Sequence, residues 1–310
     1  MLETWLTREF GITIPLVGAP MGGRAGGALA GEVTKAGGLG LIGAARYNNA
    51  EWLEQQARTA REIGGGLLGF GLMTWSLYDD DSLLGAVLAH RPQVVALSFG
   101  DPAPYVQRVH DAGATVISQI NTLEDLRVVE AAGVDAVVAQ GHEAGGHTGR
   151  IGTLPLLQEV LESTELPVLA AGGIASGRGL AAVLASGGVG ALVGTALLAS
   201  PETVGPDYAR ARLIAAGSSD TVYTDVFDKA RHQPWPARWG GRALVNSFTE
   251  TWHGRGADEQ TLADEYAGDD PDIGVVYAGE AAGLVRAERP AGEVIRGIGA
   301  QAETLLGRFR

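Results

Sequence analysis

Val137-Val138-Ala139-Gln140-Gly141-His142-Glu143-Ala144-Gly145-Gly146-His147-Thr148-Gly149 is the stretch on which the reading of this chain turns. An apolar run with strand character, Val134 to Ala139, stops at Gln140-Gly141, and a glycine-rich loop with two histidines follows. Glycines leave such a loop uncrowded, so its backbone can approach a ligand. The imidazole of His147 stands there among residues expected to be too small to bury it. Histidine titrates nearest neutrality, which makes a histidine placed at a strand end a candidate base.

Outward from this stretch, one pattern recurs between residues 14 and 198: a short apolar run, a glycine or polar break, then an amphipathic helical run. Strands are predicted at 14–19, 39–43, 67–72, 94–98, 115–119, 136–140, 167–171 and 191–195. Helices are expected at 29–36, 52–63, 82–90, 104–112, 123–132, 154–163 and 179–186. Strands buried on both faces read as continuous apolar runs, as these do. Four predicted helices stop at Ala36-Gly37, Ala112-Gly113, Ala132-Gly133 and Ser186-Gly187, where glycine takes the left-handed conformation cheaply. Eight strands in alternation with helices point to an α/β fold, a closed (β/α)8 TIM barrel, with an open doubly wound sheet as the alternative. After Ser200-Pro201 the rhythm is lost. A small, partly helical subdomain at 206–282 is expected before a last barrel helix at 293–309, so that the barrel comprises 1–205 plus 283–310.

Composition narrows the function. The chain has 310 residues, 45% hydrophobic and 19% charged, with a net charge of −13. That balance disfavours a nucleic-acid surface and an anionic membrane. Cysteine is absent, which removes disulfides, thiol catalysis and thiolate metal sites. The first ten residues lack a basic and then apolar leader pattern, and no apolar run reaches the roughly 18 residues of a membrane span. A soluble cytoplasmic protein is expected.

Two further strand ends carry glycine. Ala170-Ala171-Gly172-Gly173-Ile174 runs from a strand towards a helix, and the next strand ends in Gly194-Thr195. Bare amides there can hold one phosphate, and phosphate binding after the last two strands recurs in such barrels. Tight turning alone would also explain these glycines. The first strand ends in Ala19-Pro20-Met21, at the barrel mouth. A phosphate anchored on one side and a ring system over the mouth is what FMN requires.

These segments together resemble the nitronate monooxygenase family (2-nitropropane dioxygenase-like) and the related FMN-dependent enoyl-acyl-carrier-protein reductases. The resemblance rests on Ala19-Pro20-Met21, Ala36-Gly37-Gly38-Leu39-Gly40, Gln140 to His147, Ala170 to Ile174, Gly194-Thr195 and Tyr277 to Leu284. It implies His147 as the catalytic residue. It further implies Ala19, Pro20, Met21, Met73, Gln119, Gln140, Gly145, Gly172, Gly173, Gly194 and Thr195 around FMN, and no metal. Departures lie at Met73, where many family members carry an asparagine that contacts FMN and where Thr74 could substitute as a donor. Others are Leu192-Val193 in place of Gln-Met, Tyr277 for Trp and Glu280 for Gln. The activity implied is oxidation of alkyl nitronates or nitroalkanes by O2 to a carbonyl compound and nitrite. The alternatives are an NAD(P)H-dependent FMN reductase acting on an enoyl thioester or a quinone, and a non-catalytic flavin-binding protein. Expected partners are a small-molecule substrate, O2 and, for the reductase, NAD(P)H; a homodimer remains open.

Overall fold

The structure, a computed structural model that describes residues 2–309, is built around eight parallel strands closed into a barrel. In chain order the strands are β1 (Leu16–Gly18), β2 (Leu39–Gly43), β3 (Gly69–Met73), β4 (Val94–Ser98), β5 (Thr115–Ile120), β6 (Ala136–Gln140), β7 (Gly146–Thr148), β8 (Val168–Ala171) and β9 (Gly190–Val193). All but β7 belong to the barrel, and β9 closes it on β1 with Val17 opposite Leu192. Each predicted barrel strand is present to within a few residues. The four helix-stopping glycines Gly37, Gly113, Gly133 and Gly187 all take positive φ, from 79° to 101°.

Strand alternation sorts the apolar residues into two layers. Val17, Leu39, Leu41, Val94, Ala96, Ile117, Ala136, Val138, Leu169 and Ala171 fill the barrel interior. Ile42, Val95, Leu97, Val116, Val137, Ala139, Val168 and Ala170 face the surrounding helices. Following the inward file two residues further along β5 and β6 reaches Gln119 and Gln140. Polar side chains therefore begin where the interior opens at the strand C-termini.

The other end of the barrel is sealed by the helix Trp5–Phe10, whose Leu6 is fully buried in the interior cluster with Trp5 and Phe10 packed against it. Leu6→Ala would leave a cavity in the barrel floor and is expected to cost about 3 kcal/mol, read from urea unfolding. A change below a few tenths of a kcal/mol would show that this helix does not seal the floor.

Between β9 and the last helix (Ala291–Leu306) the chain forms two more strands, β10 (Thr221–Thr224) and β11 (Gly240–Leu244). Together with β7 they make a three-stranded antiparallel sheet in the order β10-β11-β7. This corrects the reading of residues 141–149 as loop throughout: Gly146, His147 and Thr148 are an edge strand, with His147 opposite Gly241. Of Gly-His-Thr only the threonine favours strands, and glycine disfavours them, so the pairing is imposed by the partner strand. The segment 206–282 carries two apolar clusters, one around Leu213, Leu244 and Ala278, the other around Phe227, Phe248 and Leu262. Among the described residues no helix is long and apolar enough to cross a membrane.

Candidate active site

Gln140 ends β6 pointing inward, and its side chain is the centre of an amide network. Its Oε1 accepts from Gln119 Nε2 and Asn121 Nδ2, both at 2.9 Å, and its Nε2 donates to the carbonyl of His147 at 3.2 Å. Asn121 also accepts from the indole Nε1 of Trp239 at 3.1 Å. Buried amides satisfied on both ends hold fixed orientations. This network thus pins the His147 strand and the 206–282 segment to the top of β5 and β6.

His147 is buried, at 9% exposure. That overturns the expectation of an imidazole among residues too small to cover it. The small neighbours in sequence do not cover it; distant ones do. Trp235 stacks on the imidazole, with ring centroids 3.4 Å apart and planes 8° from parallel, and Tyr277 lies 5.5 Å away. Trp235 itself packs edge-on against Trp75 and Phe99, which follow β3 and β4. The late tryptophans therefore serve two places: Trp235 and Trp239 pack onto the barrel mouth, while Trp252 packs into the cluster around Phe227.

His147 Nε2 lies 2.8 Å from Oδ2 of Asp228, on the helix Val226–Ala230. The other carboxylate oxygen accepts from the Tyr277 hydroxyl at 3.0 Å, and Arg231 Nη2 donates to that hydroxyl at 2.8 Å. Burial, reinforced by the charge of Asp228, pushes the Tyr277 phenol well above its ordinary pKa, so it remains a proton donor to the carboxylate. A carboxylate on Nε2 selects the tautomer with its proton there and leaves the Nδ1 lone pair free to accept one. Asp228→Asn is expected to lower kcat about 10- to 100-fold, the usual cost of disturbing the group that orients a working histidine. KM should change little and Asp228→Glu should restore part of the rate. An unchanged kcat would remove Asp228 from the site.

At the ends of β8 and β9, Gly172 and Gly173 take φ of 103° and 69°. Ala171 pairs with Leu192, so Gly173 and Gly194 are neighbours across the two strand ends. Among the described residues the amides of Gly172, Gly173, Gly194 and Thr195 donate to no protein acceptor. Adjacent bare amides form a nest that fits a phosphate. The Thr195 hydroxyl is engaged, accepting from Gly279 N at 2.9 Å. Ala19, Pro20 and Met21 lie across the first strand end: Pro20 packs over Gly71, and Met21 Sδ lies 3.3 Å from where a Cβ on Gly194 would be. Gly145 is packed against Ala278 and Gly279, tying the histidine loop to the late glycine motif.

Met73 ends β3 with its carbonyl accepting from Ser76 Oγ at 2.7 Å. Thr74 is fully buried with its hydroxyl unpartnered, and the buried Trp75 indole nitrogen next to it is unpartnered too. Polar atoms are left open beside the mouth, as a bound polar ring system requires. His142 is half-exposed, 3.4 Å from Glu143. Asp228, Asn121 and Tyr277 are the site residues that sequence reasoning did not assign. Tyr277 had a signal in the late glycine motif; Asp228 and Asn121 had none.

The nitronate monooxygenase model matches residues 72–300, a span that holds the histidine strand, its carboxylate partner and both glycine strand ends. The chain belongs to the nitronate monooxygenase family. It is therefore an oxidoreductase, of a family of flavoenzymes. Over 82% of this chain and 70% of the relative, it is 32% identical to the (3aS,4S,5R,7aS)-5-hydroxy-7a-methyl-1-oxo-octahydro-1H-indene-4-carboxyl-CoA dehydrogenase of Rhodococcus jostii. In fold it is similar to FabK from Thermotoga maritima, with a TM-score of 0.87 and 27% identity over 100% of this chain and 99% of that one. It is also similar to the nitroalkane oxidase of Streptomyces ansochromogenes, with a TM-score of 0.80 and 30% identity over 96% and 98% of the two chains.

Proposed function

We propose that this family member is an FMN-dependent oxidoreductase of the nitronate monooxygenase type, converting alkyl nitronates or nitroalkanes with O2 to a carbonyl compound and nitrite. The observation that carries this reading is the His147–Asp228 pair: a buried imidazole fixed through Nε2 at 2.8 Å, on a barrel whose neighbouring strand ends offer unpaired amides. The amides of Gly172, Gly173, Gly194 and Thr195 would take the FMN phosphate, and Ala19, Pro20, Met21, Met73, Gln119, Gln140 and Gly145 would border the ring system. The flavin, when bound, supplies the electron acceptor that no side chain of this chain can provide. His147 accepts the acidic α-proton of a nitroalkane at Nδ1. The resulting imidazolium, balanced by Asp228, stabilises negative nitro oxygens. Trp235 and Tyr277 keep water from the imidazole, which strengthens both effects.

A second reading, an NAD(P)H-dependent FMN reductase acting on a thioester, is favoured by the whole-chain likeness to FabK, an enoyl-acyl-carrier-protein reductase, and by the carboxyl-CoA dehydrogenase relative. Anaerobic mixing separates the two. A flavin spectrum that bleaches with ethyl nitronate, and nitrite release once air is admitted, is the expected result. Rapid bleaching by NADPH or NADH with no nitrite from any nitronate would establish the reductase instead.

A further inference from the structure

Six residues beyond β1, Arg24 is half-buried, and its Nη1 donates to the Val204 carbonyl at 3.2 Å. No ion pair neutralises it among the described residues, although the chain carries 36 acidic side chains. The groups that act on its charge are two phenols, Tyr208 and Tyr47, and burial draws its pKa below the ordinary arginine value. A guanidinium has five N–H donors, and one neutral carbonyl uses only one of them. The donors left over stay open to solvent and to an anionic ligand.

The position is built to hold it. Gly205 has φ 137°, and a Cβ there would sit 1.5 Å from Nη1, so only glycine allows the guanidinium its place. Arg24 lines a surface cleft with Thr203, Val204, Gly205, Val276 and Tyr277. Tyr277 is thus a wall of this cleft and, by its hydroxyl and ring, a neighbour of Asp228 and His147. The cleft and the imidazole adjoin the same aromatic ring.

We infer that Arg24 is an oxyanion subsite, where its guanidinium grips a carboxylate or phosphate carried by the substrate at the end remote from the reacting carbon. Only the identity of the reacting carbon rests on the proposed function; the anion site stands on the open guanidinium donors at the surface of the cleft. The planar fork suits a two-point grip on either oxyanion. A neutral short-chain nitronate would leave it unused.

Calorimetry on the holoenzyme tests this without turnover, with glutarate and ethyl phosphate as the probes. At least one probe is expected to bind the wild type, and Arg24→Gln should weaken that binding about tenfold or more. Arg24→Lys should restore part of it. Gly205→Ala, which evicts the guanidinium but keeps its charge, should match the loss. The probe that binds more tightly identifies carboxylate or phosphate as the substrate's group. The FMN content of Arg24→Gln should equal that of the wild type; a fall in it would assign the arginine to the cofactor and overturn the inference. Failure of both probes to bind, or equal binding by Arg24→Gln, would overturn it as well. An enzyme inactive on every nitronate that still shows Arg24-dependent binding would refute the proposed function and leave the subsite standing.

Discussion

His147→Ala is expected to lower turnover of an alkyl nitroalkane by roughly 10²- to 10⁴-fold, the range general acid–base catalysis contributes, with the flavin still bound. The imidazole is the one titratable side chain that Asp228, Tyr277 and Trp235 jointly orient. Its side-chain hydrogen bond and ring contacts run to Asp228, Trp235 and Tyr277 rather than to the glycine strand ends, so its loss should leave cofactor retention alone. The measurement is nitrite release alongside the visible spectrum of the purified variant. A preformed nitronate needs no deprotonation, so the variant should lose less with it than with the parent nitroalkane. Turnover within a few-fold of wild type on both substrates would remove His147 from the chemistry. A colourless variant would mean that it serves the cofactor instead.

The second large effect falls on cofactor binding. Gly172→Ala should weaken FMN about 10²- to 10³-fold, equivalent to one or two hydrogen bonds to a charged group, while riboflavin, which lacks the phosphate, is held nearly as before. At φ 103° an L side chain is strained, and its Cβ would lie 2.7 Å from Thr153 Oγ1, 3.0 Å from the Gly141 carbonyl and 3.1 Å from the Ala144 amide. Relief requires the peptide at 172–173 to turn, which re-aims the bare amides that define the nest. Fluorescence titration of both flavins into the reconstituted protein measures the difference. Equal losses for FMN and riboflavin would show that the substitution damages the fold rather than a phosphate site.

The barrel was legible in the sequence because its signal is local. A parallel strand covered on both faces must be apolar along its whole length, as Val94 to Leu97 and Ala136 to Ala139 are, and each such run is readable without its neighbours. Glycine after a helix is equally local: Gly113 and Gly133 stop helices through their own φ. The glycine strand ends and His147 stood out for the same reason, each marked by the residues beside it. The sheet that joins the histidine strand to the 206–282 segment was not legible, since Gly146-His147-Thr148 becomes a strand only when Arg242, Gly241 and Gly240 pair with it.

The sequence by itself determined the alternation of strands and helices, where the strands end, and which strand ends carry glycine and histidine. Only the tertiary structure decided that β9 closes the barrel on β1, that His147 is buried under Trp235, that Asp228 orients it from 81 positions away, and that Arg24 stands beside Tyr277 with no ion-pair partner among the described residues. Periodicity and turn chemistry act between residues a few positions apart and can be read along the chain. A hydrogen bond or a missing counter-charge between distant segments depends on sheet register and on how the 206–282 segment settles over the barrel mouth, which no local pattern encodes.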